Sequence, residues 1–260
     1  MRAAEKYNAR LTAGLGMLEE TQQLLGLWKE GMNGAALTAA ALESGLFPGS
    51  SARSLKNMIG DAFASRYLTE GGAPATLLKS VLSEDMSVVF RQLCFVFTCR
   101  AHRILADFVM TVYWPGYAAG KDMITNEESL EFIRRINSEG RTATPWTESI
   151  QRRVASYLTG CCADFGLLES GMKKVRRILP FRIDARTTAV LAYERHFTGL
   201  SDVAMINDES WAWFGCDQRE VLSELQRWAR RNLLLVQSGA DLVKIDWTCK
   251  TMREVIHGIR

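Results

Sequence analysis

Residues 146–183 read WTESIQRRVASYLTGCCADFGLLESGMKKVRRILPFRI, and the fold turns on this stretch. Thr144 or Thr147 can cap a helix here, with Glu148 in the first turn, where the helix dipole favours a carboxylate. Ile150, Val154, Tyr157, Leu158 and Cys161 recur at helical spacing as a stripe for burial. Ser149, Arg152, Arg153 and Ser156 share the opposite face. Asp164-Phe165-Gly166 ends the helix, Leu167-Leu168 starts a strand, and MKKVRRILPFRI returns with Val175, Ile178 and Leu179 among cations. A helix followed by a Gly-turned basic hairpin is the order of a winged helix, in which a helix reads DNA or RNA beside a β-wing. A plain solvated hairpin would show the same charges, so the rest of the chain must decide.

Charge distribution says more than the net charge of +3. Between Arg141 and Arg186 nine bases face four acids, whereas between Ser201 and Glu224 one base faces six acids. That asymmetry fits a basic working face and an acidic face that repels nucleic acid or meets a protein. With 260 residues, 47% hydrophobic and 23% charged, the chain can bury a sizeable core as one large domain or two to three small ones.

The basic stretch has company on both sides. Met17 to Lys29 has helical spacing with Gly31 as a stop, and Gly34 to Ser44 is Ala-rich and closes at Gly45. After the LFPGSS turn, Ser50 or Ser51 can cap a helix over 51–68 with Leu55, Ile59, Ala62 or Phe63, and Tyr67 inward. Ser50, Arg53, Ser54 and Asn57 face outward, which is a helix-turn-helix reading, although ordinary helical hairpins share the pattern. Helices are expected over 75–82, 86–112 and 126–137, with YWPGYAAG as a loop. Beyond 186, helices over 186–196 and 217–232 precede a hairpin, NLLLVQSGADLVKIDW, turning at Ser238-Gly239-Ala240. The helix before it begins acidic (Asp217, Glu220, Glu224) and ends basic (Arg227, Arg230, Arg231), which suits packing or dimerisation better than groove entry.

Catalytic signals are missing. No GxxxxGK[ST], GxGxxG, GxSxG or HExxH occurs, and the three histidines sit on separate elements. His102 reads as a core histidine. The six cysteines form no CxxC pair, so no metal or cofactor is expected and reduced thiols in a cytoplasmic protein are the natural reading. The N-terminus carries no apolar leader, and Leu93–Trp114, the most apolar segment, is interrupted by Arg100, His102, Arg103 and Asp107, so no membrane span is expected.

Motifs in order along the chain then carry a resemblance. Tyr7 with Leu11 and LGMLEET is followed by Arg53-Ser54-Leu55, Arg66-Tyr67-Leu68 and HRILADF at 102–108. Then come Trp146-Thr147-Glu148-Ser149, DFGLLE at 164–169, Ala192-Tyr193, His196-Phe197 and Trp213-Phe214-Gly215. The chain resembles the BrxA family of bacteriophage exclusion (BREX) defence systems nearly end to end. The resemblance implies a non-enzymatic, mostly helical protein with winged-helix parts that binds DNA beside other BREX components. The family has also been likened to an RNA-binding antitermination factor, which keeps RNA in play.

The resulting expectation is a mainly α protein with winged helix-turn-helix units and short β-hairpin wings near both ends. It comprises an N-terminal unit (1–72), a central helical spine (73–140) and a C-terminal region (141–260) split into a basic helix-plus-wing (141–185) and a second winged-helix-like unit (186–260). Double-stranded DNA is the expected partner. Its contacts are Arg53, Ser54, Lys56 and Asn57 in the first unit, and Arg152, Arg153, Ser156, Lys173, Lys174, Arg176 and Arg177 in the second. The alternatives are a scaffold subunit that docks its basic hairpin on an acidic partner, and an RNA binder. A homodimer is compatible with each.

Overall fold

Local capping chemistry punctuates the helices of a computed structural model that describes residues 6–9, 11, 14, 16–171, 174–239 and 242–260. Among the described residues the chain is mainly α, with two small antiparallel β-pairs. It divides into two compact units, residues 1–79 with 94–181 and residues 80–93 with 182–260.

The first unit opens with α1 (Leu18–Leu27), which buries Leu24 and Leu25. Asn33 accepts the Ala36 amide and starts α2 (Gly34–Ser44), and Gly45 closes it at φ 67°. Ser51 accepts the Ser54 amide and starts α3 (Ala52–Asn57). This helix runs on through a π-helical stretch, Met58–Ala64, into α4 (Ser65–Tyr67). Leu55, Ile59, Phe63 and Tyr67 are all buried, as their spacing predicts. That spacing is a strict four, which on a straight α-helix would drift by about 40° per step. The wider π turn removes the drift and keeps all four on one face. Leu105, Val109 and Tyr113 repeat the same spacing, and there too a π stretch, Val109–Tyr113, appears.

The expected single helix over 86–112 is interrupted. After α5 (Ala73–Ser80), α6 (Ser87–Ala101) stops at His102, whose φ of −131° and ψ of 81° break the run before α7 (Arg103–Phe108). The expected YWPGYAAG loop is largely helical instead: α8 (Trp114–Ala118) continues from the π stretch. Its Pro115, which has no N–H to give to the helical ladder, comes two residues after the π stretch ends at Tyr113.

A short strand with no clear sequence signal follows, β1 (Met123–Thr125). Thr125 and Glu128 form a reciprocal capping box that starts α9 (Asn126–Ser138), and Thr147 caps α10 (Glu148–Asp164). The chain then pairs Leu168 with Ile178 and forms β2 (Val175–Arg177), antiparallel to β1 with Ile124 opposite Arg176. The Ile178 amide donates to Asp122 on one side, while Glu169 donates to Arg177 and Leu179 to Leu167 on the other. β2 is therefore bonded along both edges, and the element order is helix, strand, helix, helix, hairpin.

The second unit begins its main run with α11 (Ala185–Phe197), whose entry is held by Gln92: its amide donates to the Arg182 carbonyl at 2.7 Å and accepts the Asp184 N–H at 2.9 Å. Then come α12 (Asp202–Ile206), a 3-10 turn over Glu209–Phe214, and α13 (Gln218–Ala229) with an Asp217–Glu220 capping box. The expected hairpin is present as β3 (Leu234–Gly239) and β4 (Leu242–Trp247), paired from Leu234–Trp247 to Gly239–Leu242, with its Ala240 tip outside the described residues. The chain ends on α14 (Met252–Gly258). No helix among the described residues is long and apolar enough to cross a membrane.

Candidate nucleic-acid interface

α10 carries the face that its sequence spacing predicts. Val154, Leu158 and Cys161 are buried, whereas Ser149, Arg152, Arg153 and Ser156 are exposed. Glu148 at the head of this helix is held between two guanidiniums, Arg134 of α9 at 3.0 Å and Arg152 at 2.8 Å, and Arg134 also reaches Glu127 at 2.8 Å. The Arg134 hydrogen bond, with Arg152 adding to it, holds the Glu148 carboxyl below the usual carboxylate range. Arg152 is thereby tethered, while Arg153 makes no ion pair among the described residues and stands out as a bare cation.

Hydrogen bonds join the buried side of this helix to the hairpin. The Thr159 hydroxyl of α10 donates to the Asn126 side chain at 2.8 Å, and the Asn126 amide donates to the Lys174 carbonyl at 2.8 Å. Lys174 and Arg177 are exposed. Strand alternation turns Arg176 the other way. It is 8% exposed, opposite Ile124, and its guanidinium donates to the Glu169 carbonyl at 2.9 Å. Arg176 is thus a strut that ties the two arms of the hairpin, with its charge facing Asp164. The sequence reading took the KKVRR run as one charged edge and missed its period of two. Lys173 lies outside the described residues.

On α3, Arg53, Ser54, Lys56 and Asn57 are all exposed around the buried Leu55. Neither Arg53 nor Lys56 has a carboxylate partner among the described residues. The structure places Arg152, Arg153 and Ser156 together on α10, links that helix through Asn126 to the Lys174 backbone, and presents the α3 set separately. α3 and α10 belong to the same unit. Arg66 of α4, which continues α3, donates to the Gly14 carbonyl at 2.9 Å, and the Gly16 amide donates to Asp164 of α10 at 2.8 Å.

Five of the six acids over 201–224 serve internal structure. Asp202 accepts from the Ile245 amide and the Trp247 indole, Asp208 pairs with Arg195 at 3.2 Å, Asp217 and Glu220 cap α13, and Glu224 pairs with Arg227 at 2.8 Å. Among the described residues no group of His, Cys, Asp or Glu is arranged to hold a metal ion. Cys94, Cys99, Cys161 and Cys162 are buried thiols.

Comparison with known proteins places this geometry in context. The sequence matches the family model described as BrxA over residues 5–195, an extent that runs from the segment before α1 into α11. A crystal structure of an uncharacterized protein from Magnetospirillum magneticum is similar, with a TM-score of 0.58 and 16% identity over 74% of this chain and 95% of that one. At that identity the likeness shows a shared fold. No curated protein matches the sequence.

Proposed function

The chain belongs to the BrxA family, components of BREX phage-defence systems, and from that premise we propose that it is a non-catalytic protein that binds double-stranded DNA. The observation that carries this reading is the order of elements over 103–179. Helix α7–α8, strand β1, helices α9 and α10 and a hairpin whose return strand pairs with β1 match the layout of a winged helix-turn-helix, with α10 in the place of the groove-reading helix. Its outer face offers Arg153 and Arg152 to phosphates and Ser156 to a base edge, and Lys174 and Arg177 are exposed cations of the wing. α3 supplies a second candidate helix, with Arg53 and Lys56 for phosphates and Ser54 and Asn57 for base edges.

Affinity of this kind falls steeply with salt, because each neutralised phosphate releases about 0.9 of a counterion. The test is a titration of duplex, single strand and RNA across a salt series with the wild type and with Arg152→Glu, Arg153→Glu, Lys174→Glu and Arg177→Glu combined. Duplex affinity is expected to drop by at least about tenfold at moderate salt, given the several phosphate contacts removed. Unchanged duplex binding in that variant sinks the assignment of α10 and its wing. Tighter binding to RNA than to duplex would replace DNA as the ligand. Silence on every nucleic acid, beside a stable complex with another BREX component, would favour the scaffold role.

A further inference from the structure

We propose that the second unit holds a nucleic-acid site of its own, on the outer face of α13 and the hairpin that follows it. This extends the duplex-binding reading to a part of the chain that lies largely beyond the family match. The sequence discouraged it, since the helix opens with acids. The structure gives each of these acids a partner inside the unit. The Asp217 side chain accepts the Glu220 amide at 2.8 Å, and the Glu220 carboxylate turns back to the Asp217 amide at 2.9 Å, so both serve the helix start. Glu224 is paired with Arg227 at 2.8 Å.

What remains on the outside is a ridge of Arg219, Ser223, Gln226 and Arg230, spaced four, three and four, running along one side of the helix. Val221, Leu225 and Trp228 fill the opposite side, and the Trp228 indole is anchored on the Ala185 carbonyl at 2.7 Å. Arg219 and Arg230 have no ion-pair partner among the described residues, so each is available to a phosphate. Ser223 and Gln226 between them are the hydrogen-bonding types that read base edges. The helix leads into β3–β4, the same helix-then-hairpin order as α10 and its wing, and Lys244 and Gln237 lie opposite one another on the hairpin.

Asp202 supplies the missing third edge. Its carboxylate accepts the Ile245 amide at 2.8 Å, occupying the outer side of β4 where β1 sits against β2 in the first unit. The hairpin is thereby bonded to the first residue of α12, which also accepts the Trp247 indole at 3.0 Å. A duplex is the ligand this surface fits: paired phosphates for the two arginines, a groove for the small polar ridge between them.

The experiment uses the full chain. Arg219→Gln with Arg230→Gln is expected to melt like the wild type, to bind a duplex of about 20–30 base pairs several-fold more weakly, and to lower the salt slope by about two, one unit for each phosphate no longer neutralised. Ser223→Ala with Gln226→Ala is expected to keep the salt slope and to flatten the preference among duplex sequences. If the arginine pair leaves affinity and slope unchanged while the α10–wing variant weakens binding, this inference falls and the reading of the first unit stands. If wild-type protein does not bind duplex at all, both fall together. Loss of binding to an acidic protein partner with duplex affinity intact would reassign the ridge to protein contact and overturn the proposal.

Discussion

Single residues in this protein owe their chemistry to burial and to one or two neighbours. Burial pushes the thiols of Cys94 and Cys161 up to about 12, and those of Cys99 and Cys162 well above the ordinary value, so none forms thiolate near neutral pH. Native protein is therefore expected to leave these four unmodified by a thiol-reactive dye at a pH of about 8, and unfolding in denaturant to expose them; fast native labelling of all six would contradict the packing. Glu148 behaves oppositely. Its folded-state pKa is depressed by Arg134 and Arg152, so its contribution to stability is present above the unfolded value of 4.5 and is lost as pH falls through the lower folded value. Glu148→Gln should flatten that acid limb in a pH series of thermal melts and should weaken the salt dependence of stability, because the cluster is exposed and screened. Arg176 teaches a different lesson. As a buried strut it belongs to the fold, and Arg176→Ala is expected to loosen the hairpin, read as faster amide exchange at Glu169 and Arg177.

Elements were legible where their signals were local. The ends of α2, a cap at Ser50 or Ser51 that the fold settles on Ser51, the two arms of β3–β4 and the buried Val154, Leu158 and Cys161 of α10, whose Ile150 and Tyr157 are half-buried, follow from Gly, Ser, Thr and hydrophobic spacing within a dozen residues. β1 was not legible: three residues give no usable period, and the strand exists because β2 presents an edge to it from about 50 residues away. The break at His102 and the helical state of Trp114–Ala118 were missed for a related reason. A run of apolar residues reads as one continuous helix, and a Pro-Gly pair reads as a loop; neither pattern carries the backbone turn at His102 or the π stretch that leads into Trp114. The capping box of α9 makes a direct test of element strength. Thr125→Ala should cost about 1 kcal/mol, measured by denaturant unfolding, since it removes the acceptor for the Glu128 amide at 3.1 Å.

At the scale of the molecule, the segment before α1 ties distant parts of the first unit together. Tyr7 pairs with Thr142 as a one-residue parallel bridge, donating to Arg141 and accepting from Ala143, both at 2.8 Å. Its hydroxyl donates to Asp107 and accepts from Arg141, and Asp107 is held in turn by Arg103 and Arg141, each at 3.0 Å. Further along the same segment, the Gly16 amide donates to Asp164 at the far end of α10. Tyr7→Ala, at a site 4% exposed, should cost about 3–5 kcal/mol by thermal unfolding, and Tyr7→Phe only about 1–2, since the ring stays and one charged acceptor loses a donor. A Tyr7→Ala variant as stable as the wild type would show that the segment is not needed to hold the unit. By itself, the sequence determined the mainly helical class, the α2 stop at Gly45, the outward faces of α3 and α10 and the absence of familiar catalytic motifs, because each rests on residues close together in the chain. Only the tertiary structure decided that β1 completes the basic hairpin, that Arg176 points inward, and that five of the six acids of 201–224 serve caps, ion pairs and a strand edge. Those outcomes depend on groups tens of residues apart meeting at hydrogen-bond distance, and no local pattern encodes such a meeting.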